Sequence, residues 1–405
     1  MRIPIAAEND VQTARPKTRQ VPFCRVTCDG NELSYLANVL SSGWLTTAKK
    51  TLEFEHRFAK MVNAKYALAV SSCTAALHLA LEATGIRPGM QVFVPTMTFT
   101  ASAEVIRYLG ADPLLLDVEY GTSLITPEIL ERAIADHKNV KALVVVHFAG
   151  QPATMLTEDR QGIMDICRRH GISVIQDAAH AFPARIGGKQ IGSLEGATCF
   201  SFYANKTITS GEGGMLTTND KAVADRASAM RLHGIDRNVW NRFMSTDIQW
   251  EYDVIAPGFK YNMSDVHAAI GLAQLERVNS LWEQRFKCVK YYYDRLSKIP
   301  SLDLPVCHVP MEDHAWHLYV VTLRDNAPVS RNELIRLLGE RGIGTSVHYK
   351  PLHRMTYYRE QYHLDPNQFP NAERIWRGCI SLPLFPSMTE EDLDYVCSNL
   401  LDILT

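Results

Sequence analysis

Lys206 has the surroundings expected of a covalently acting amine. It lies in Ser201–Gly214 (SFYANKTITSGEGG), after an apolar stretch that predicts a strand and before a Gly-rich turn. A lysine that attacks an aldehyde must be partly unprotonated, and a loop at a strand end, beside a cleft, suits that role. Because lysine side chains are mostly exposed, a solvated loop lysine is the alternative interpretation.

Asp177 is a second candidate, about thirty residues before the lysine. It ends the apolar segment Ile172–Asp177 and belongs to the motif QDAAHA. A carboxylate there can pair with a protonated pyridine nitrogen and so make the ring an electron sink. An N-cap for the next segment is the alternative. His180, in the same motif, could contact that ring or pack in the core.

Two further motifs follow predicted strands. In Ser71–Ala76 (SSCTAA), N–H groups and hydroxyls at a helix start could bind a phosphate, although a simple Ser/Thr cap has the same pattern. Cys73 stands there where a small residue lets the backbone approach closely, and we assign its thiol no reactivity. Phe99, in Pro95–Ser102 (PTMTFTAS), could stack on a planar ring or belong to the core.

Apolar strands alternate with helical patterns over residues 30–220. The predicted strands are Tyr66–Ser72, Gln91–Val94, Pro113–Leu116, Ala142–Phe148 and Ile172–Asp177, and the helices include Thr74–Thr84, Pro127–His137 and Gly162–His170. These strands lack polar alternation, as expected when helices cover both faces of a parallel sheet. We therefore predict a doubly wound, mostly parallel α/β sheet. Ligands bind beyond the carboxyl ends of such strands, where all four motifs lie.

The pattern changes after Ser264, a predicted N-cap of one long helix that continues through residues 268–296. A strand at His317–Leu323 and helices at Arg331–Arg341 and Thr389–Leu400 follow. We predict a flexible arm at residues 1–20, a large α/β domain at 21–263, and a linking helix with a smaller α+β domain at 264–405. A chain of 405 residues suits two packed domains.

The composition is that of a globular protein, with 46% hydrophobic and 21% charged residues. A formal net charge of −2 provides no positive field for nucleic acid or an acidic membrane surface. No apolar run is long enough to span a bilayer, and the N-terminus lacks the pattern of a secretory signal. Nine irregularly spaced cysteines predict reduced thiols in a cytoplasm. Cys24 and Cys28 lack a second ligand pair, so we predict no metal site.

The ordered motifs resemble the nucleotide-sugar aminotransferases of the DegT/DnrJ/StrS type, which have the aspartate-aminotransferase fold (fold type I). The resemblance covers nearly the whole chain from about residue 21. It includes VPTMTFTASA, QDAAHA, FSFYANKTITSGEGGML, GFKYNMSDVHAAIGLAQL and GIGTSVHYKPLH.

The resemblance implies that pyridoxal 5'-phosphate is held by Lys206 as a Schiff base, and that this lysine also transfers the proton. It assigns the other cofactor contacts to Asp177 at the pyridinium nitrogen, Phe99 on the ring face, His180 beside the ring, and Cys73, Thr74 and Ser201 at the phosphate. Asn262, in the KYN segment, resembles a residue that the family donates to the other subunit's phosphate. A homodimer with shared active sites is therefore expected. Cys73 replaces the more usual Gly or Ala.

The implied reaction is ping-pong transfer of an amino group from L-glutamate, which leaves as 2-oxoglutarate, to a nucleotide-linked keto-sugar through pyridoxamine 5'-phosphate. Resemblance of the GFKYN and HGI segments favours C4 of a 4-keto-6-deoxyhexose, used in polysaccharide or O-antigen biosynthesis. Amination at C3 is the alternative. A sugar dehydratase would have histidine in place of Lys206, and a non-catalytic regulator would have eroded motifs.

The sugar contacts are expected in two regions of the chain. The aromatic-rich loop at residues 237–254 lies where the family varies, so substrate contacts are expected there. His348, Tyr349 and His353 are candidate sugar contacts, with a packed structural role as the alternative for each. The nucleotide, whether UDP, dTDP or GDP, has no signal in the sequence.

Overall fold

The fold is known from a computed structural model that describes residues 19–235 and 252–405. The strands are β1 (Tyr66–Val70), β2 (Gln91–Pro95), β3 (Asp112–Leu116), β4 (Val140–Val146), β5 (Ser173–Asp177), β6 (Arg185–Ile186), β7 (Lys189–Gln190), β8 (Ala197–Ser201), β9 (Gly214–Thr218), β10 (Leu302–Asp303), β11 (Tyr319–Leu323) and β12 (Cys379–Leu382). The described helices before residue 236 are α1 (Glu32–Ser42), α2 (Lys49–Val62), α3 (Cys73–Ala83), α4 (Ala101–Tyr108), α5 (Pro127–Asp136), α6 (Ile163–His170) and α7 (Lys221–Met230). The later helices are α8 (Asp265–Glu276), α9 (Val278–Leu296), α10 (Arg331–Glu340), α11 (Thr356–Gln361), α12 (Pro370–Gly378) and α13 (Glu390–Leu404).

A seven-stranded sheet forms the larger part of the fold, in the order β1-β9-β8-β5-β4-β2-β3. Neighbouring strands from β8 to β3 pair in parallel, while β9 runs antiparallel to both β1 and β8. The predicted mostly parallel α/β sheet is confirmed.

Apolar side chains on both sheet faces explain why helices cover both. In β4, Leu143 and Val145 belong to one buried cluster, which includes side chains of α2, α5 and α6. Ala142 and Val144 belong to the opposite cluster, with side chains of α3, α4 and α7. Alternate residues of a strand point to opposite faces, so an uninterrupted apolar strand requires two apolar layers.

The C-terminal part is a smaller α+β unit. Strands β10, β11 and β12 form an antiparallel sheet in that order. Side chains of α9, α10 and α13 pack with this sheet in a separate buried cluster. Val21 belongs to the same cluster and pairs with Ile343, so the chain's first described residues lie against this unit.

Some sequence predictions differ from the structure or fall outside the described residues. The predicted single long helix is wrong, because the backbone at Arg277 leaves helical geometry (φ −108°, ψ 1°) and separates α8 from α9. Arg277 pairs there with Asp29, a tertiary contact that leaves no Gly or Pro signal in the sequence. The predicted strand at His317 begins two residues later, at Tyr319. Residues 1–18 of the predicted arm lie outside the described residues, and the domain boundaries remain predictions.

A helix that spans a bilayer must be both long and predominantly apolar. None of the helices within residues 19–235 and 252–405 is both long and apolar enough to cross a membrane.

Candidate active site

A cavity of about 380 Å³ lies at the carboxyl ends of the central strands. It brings together seven of the predicted site residues, namely Cys73, Thr74, Phe99, Asp177, His180, Ser201 and Lys206. Strand ends and helix starts supply most of the polar groups of the lining, as expected for an open α/β sheet.

The Lys206 loop is held rigidly at the end of β8. Phe202 is fully buried, and its backbone N–H donates to the Gly213 carbonyl while its own carbonyl accepts from the Ser210 N–H. The Lys206 N–H donates to the Tyr203 carbonyl at 3.0 Å. Burial lowers the pKa of the Lys206 amine to about 8, because desolvation penalises its charged form. A minor fraction of this amine is therefore unprotonated near neutral pH, but far more than for a solvated lysine with the ordinary pKa of 10.5.

Asp177, at the end of β5, is a buried carboxylate that accepts hydrogen bonds from three groups, the most distant of which is Cys73 Sγ at 4.0 Å from Oδ1. Ser102 Oγ donates to Oδ2 at 2.7 Å, and the Ala179 N–H donates to Oδ1 at 3.1 Å. Burial raises the pKa of Asp177, while these two hydrogen bonds and the Lys206 charge act in the opposite direction. The side chain is thus a positioned acceptor for a proton donor in the cavity.

The first turn of α3 forms another wall. Ser72 is the N-cap and accepts from the Ala75 N–H, while Cys73 and Thr74 line the cavity. A Cβ at Gly214 would lie only 2.4 Å from the Ser72 carbonyl carbon, so glycine lets β9 pack directly on this turn. Such a helix start, with its free N–H groups and hydroxyls, can hold a phosphate.

Histidine and tyrosine side chains form the opposite wall. The Ala149 N–H donates to His180 Nδ1 at 3.3 Å, which leaves the proton of neutral His180 on Nε2. His180 Nε2 therefore donates to Tyr349 Oη at 3.1 Å, and the Tyr349 hydroxyl proton stays available. Burial lowers the pKa of His180 and His317, and that of His348 to about 4. The wall is hydrogen-bonding but uncharged at neutral pH.

Phe99 and Ser201 lie on the cavity rim and floor. The Phe99 ring is 58% exposed and 6.0 Å from the Tyr349 ring, so one apolar face remains open to a planar ligand. Ser201, the last residue of β8, accepts a hydrogen bond from the Tyr203 N–H.

Asn262 and His353 are not among the cavity residues. Asn262 pairs with Val70 at the end of β1, and its Nδ2 donates to Thr47 Oγ1 at 2.6 Å. His353 is fully buried and forms hydrogen bonds with Thr96 and Glu373. These contacts agree with the packed structural role, which was the alternative to a sugar contact. His348 and Tyr349, in contrast, line the cavity.

The loop predicted to contact substrate lies mostly outside the described residues. Its residues 237–251 lie outside the described residues, and residues 252–254 do not line the cavity.

Sequence reasoning did not single out Thr98 or His317, which line the cavity, or Ser102, which is not in the lining but bonds to Asp177. Ser102 and Thr98 belong to the recognised PTMTFTAS motif, and their hydroxyls are 2.8 Å apart. Since Ser102 donates its only hydroxyl proton to Asp177, Thr98 is the donor to Ser102. His317 also lines the cavity, and its Nδ1 is buried without a partner among the described residues. Spacing in the motif could have indicated the hydroxyl pair, whereas His317 has no local signal.

Comparison with known sequences decides the family. A sequence profile described as the DegT/DnrJ/EryC1/StrS aminotransferase family matches residues 27–401. The chain belongs to the DegT/DnrJ/EryC1/StrS aminotransferase family. Members are pyridoxal-phosphate-dependent sugar aminotransferases, so the chain is an enzyme of this class.

Individual relatives agree with this assignment. The spore coat polysaccharide biosynthesis protein SpsC from Bacillus subtilis is 41% identical, over 95% of this chain and 97% of its own length. The structure of Spr1654 from Streptococcus pneumoniae in a PMP-form has a TM-score of 0.85 at 30% identity, covering 95% of this chain and 99% of its own. DesV from S. venezuelae, solved with a ketimine intermediate, has a TM-score of 0.81 at 29% identity and covers 92% and 94%.

The cavity residues fit pyridoxal 5'-phosphate, the cofactor of this family. The site offers a half-buried, partly unprotonated lysine for an aldehyde, and a buried carboxylate for a pyridinium nitrogen. It also has a helix start for a phosphate and an exposed phenylalanine face for a ring. The aldehyde, ring nitrogen, phosphate and ring face of the cofactor thus each have a matching group within one cavity.

Proposed function

We propose that the enzyme transfers an amino group from L-glutamate to C4 of a nucleotide-linked 4-keto-6-deoxyhexose, with Lys206 as its catalytic lysine. The observation that supports this proposal is the placement of the lowered-pKa Lys206, the buried Asp177 and the start of α3 around one cavity. Bound pyridoxal 5'-phosphate would supply an electron-withdrawing ring that acidifies the α-proton of the donor amino acid.

The side chains of the cavity have separate roles in the reaction. The Lys206 amine would hold the cofactor and, once released, take the proton from the donor carbon and deliver it to the cofactor. Asp177, kept in place by Ser102 and Ala179, holds a proton at the ring nitrogen. Cys73, Thr74 and Ser201 bind the phosphate, Phe99 covers one ring face, and His180 lies beside the ring.

The order of events is ping-pong, in which 2-oxoglutarate leaves before the keto-sugar reacts. The same Lys206 serves both half-reactions, so one cavity suffices for donor and acceptor in turn. The neutral histidines and the Tyr349 hydroxyl proton support an acceptor rich in hydroxyl groups, because they form hydrogen bonds without introducing charge.

The sugar and its position of amination follow from the motifs. GFKYN and HGI are most similar to enzymes that act on 4-keto sugars, which favours C4 over C3. The relative SpsC supports a polysaccharide-related product by its name. Lys206 occupies the position where a sugar dehydratase of this fold would have histidine.

The enzyme is further proposed to act as a cytoplasmic homodimer. In this arrangement Asn262 of one subunit contributes to the phosphate site of the other, which agrees with its position outside the cavity of its own chain.

A product assay tests the proposal. The purified enzyme is incubated with L-glutamate and a panel of UDP-, dTDP- and GDP-linked 3-keto and 4-keto sugars, and NMR identifies the carbon that acquires nitrogen. We expect amination at C4 and bleaching of the cofactor's visible absorption by glutamate alone. Amination only at C3 would overturn the assignment of position, and no bleaching would overturn glutamate as donor.

A further inference from the structure

A second polar cleft lies in the C-terminal unit, away from the catalytic cavity. Its volume is about 320 Å³, and it shares no lining residue with the catalytic cavity. Four arginines line it, at positions Arg324, Arg331, Arg374 and Arg377. Asp325 is the one carboxylate in its described lining. We call this site the arginine cleft.

Aromatic rings and an acid hold three of these guanidinium groups. Arg374 lies over the Tyr120 ring at 3.9 Å, and Arg331 lies over the Trp376 ring at 4.5 Å. Arg324 Nε donates to Asp303 Oδ1 at 2.7 Å, and Tyr120 Oη donates to the same carboxylate. Stacking on a ring orients a guanidinium while its N–H edge remains able to bind an anion.

Arg374 and Arg377 lack acidic partners. Neither forms an ion pair with any residue in the described parts of the chain. They lie three residues apart on α12, so they share a helix face and repel each other. The neighbouring Glu373 does not relieve this repulsion, because it is bonded to His353 and Arg354. Two cations on one face of a cleft, without a counterion from the chain, indicate a site for an external anion.

The start of α10 adds to the positive potential. Val329, Ser330 and Arg331 line the cleft, and Ser330 is the N-cap of this ten-residue helix. The N-terminal end of a helix dipole favours a negative charge. This contribution supplements the arginines and would not define a site by itself.

We infer that the arginine cleft binds a diphosphate group. A lone carboxylate has two oxygens and matches one guanidinium fork, whereas a diphosphate presents oxygens in several directions and can engage several arginines. The cleft volume also accommodates such a group. The diphosphate could belong to a free nucleotide or to a nucleotide-linked sugar, which share this chemistry.

Calorimetric titration of the cofactor-loaded enzyme with inorganic pyrophosphate tests the inference. The double variant Arg374→Gln, Arg377→Gln removes both unpaired cations. We expect the affinity of this variant for pyrophosphate to fall at least about tenfold. The loss of one charge-assisted hydrogen bond is already enough to lower an affinity by about that factor. The matched control is Arg336→Gln, Arg359→Gln, which removes two exposed, acid-paired arginines outside the cleft. Its affinity should stay within about twofold of the wild type.

Two results would overturn the inference: no binding of pyrophosphate by the wild type, or equal binding by wild type and cleft variant. Protection of Arg374 and Arg377 from phenylglyoxal by pyrophosphate, mapped by mass spectrometry, provides a second measurement on the unaltered chain. Failure of pyrophosphate to protect either arginine would also count against the site.

Two further titrations identify the source of the diphosphate. Uridine diphosphate and UDP-glucose are compared with pyrophosphate in the wild type and in the cleft variant. Among the ligands whose binding the cleft variant loses, the one that the wild type binds most tightly identifies the source. Glutamate bleaching is recorded in parallel, so that a failure of the cleft is distinguished from a failure of the transaminase proposal.

Discussion

Ser102 Oγ lies 2.7 Å from Asp177 Oδ2 and donates a hydrogen bond to it. Ser102 is fully buried in the first turn of α4, and Asp177 ends β5, so the bond joins two elements that are distant in sequence. A hydrogen bond to the charged form of a carboxylate lowers its pKa, and here it opposes the effect of burial. Ser102 is therefore a positioning residue for Asp177.

Ser102→Ala should shift the acidic limb of the pH–rate profile to higher pH. Loss of the Ser102 hydrogen bond, which stabilises the charged form by about 1.5–3 kcal/mol, should raise the pKa of Asp177. The carboxylate would then be protonated at a higher pH, and activity would be lost earlier as the pH falls. Ser102→Thr keeps the hydroxyl and should restore the wild-type limb. The control Ser301→Ala removes a buried hydroxyl in the C-terminal unit and should leave the acidic limb unchanged. An unchanged acidic limb in Ser102→Ala would contradict the positioning role of Ser102.

Lys206→Ala should abolish amino transfer and leave the fold intact. The proton transfers assigned to this amine alone account for about 10²–10⁴-fold in rate, so the residual activity should fall by at least that factor. Turnover and thermal melting are measured together. Lys189→Ala, at an exposed position on β7, is the matched control and should retain full activity. A folded Lys206→Ala protein whose rate falls by less than about a hundredfold would exclude this lysine as the catalytic base.

The rate of cofactor loading should depend on pH with a midpoint near 8. Burial lowers the Lys206 pKa from its ordinary value of 10.5 to about 8, and only the unprotonated amine attacks an aldehyde. The loading rate should therefore rise as the pH increases through 8 and level off above it. Stopped-flow absorbance after mixing apo-protein with pyridoxal 5'-phosphate measures this rate. A midpoint near 10.5 would show that the amine is solvated rather than buried.

Cys73 should resist thiol reagents although it lines the cavity in the first turn of α3. It is buried, and burial raises the pKa of its thiol well above the ordinary value, so little reactive thiolate is present. Cys24 and Cys28 are exposed and should react first. Mass spectrometry after brief iodoacetamide treatment of the native protein measures each site. Early modification of Cys73 would mean that the turn opens to solvent.

The sequence predicts the structure best where a short run of residues determines its own secondary structure. The parallel sheet follows from apolar strands such as β4, and the cavity follows from motifs at strand ends. The break at Arg277 and the approach of His317 to His180, with rings 4.4 Å apart, depend on contacts between distant segments. No periodicity or turn signal marks such contacts, so the sequence alone could not predict them.

Complementation between two inactive variants tests the shared site of the proposed dimer. If Asn262 serves the other subunit's phosphate, Lys206→Ala and Asn262→Ala would each inactivate the homodimer. In a mixed dimer one site would combine both changes, and the other would combine the unaltered Lys206 and Asn262. Equal mixing with subunit exchange should therefore restore about a quarter of wild-type activity, since half of the dimers would have one intact site. Asn262 also bonds to Thr47 within its own chain. If that bond is its only role, mixing should restore nothing, because every subunit with Lys206 would still lack its own Asn262.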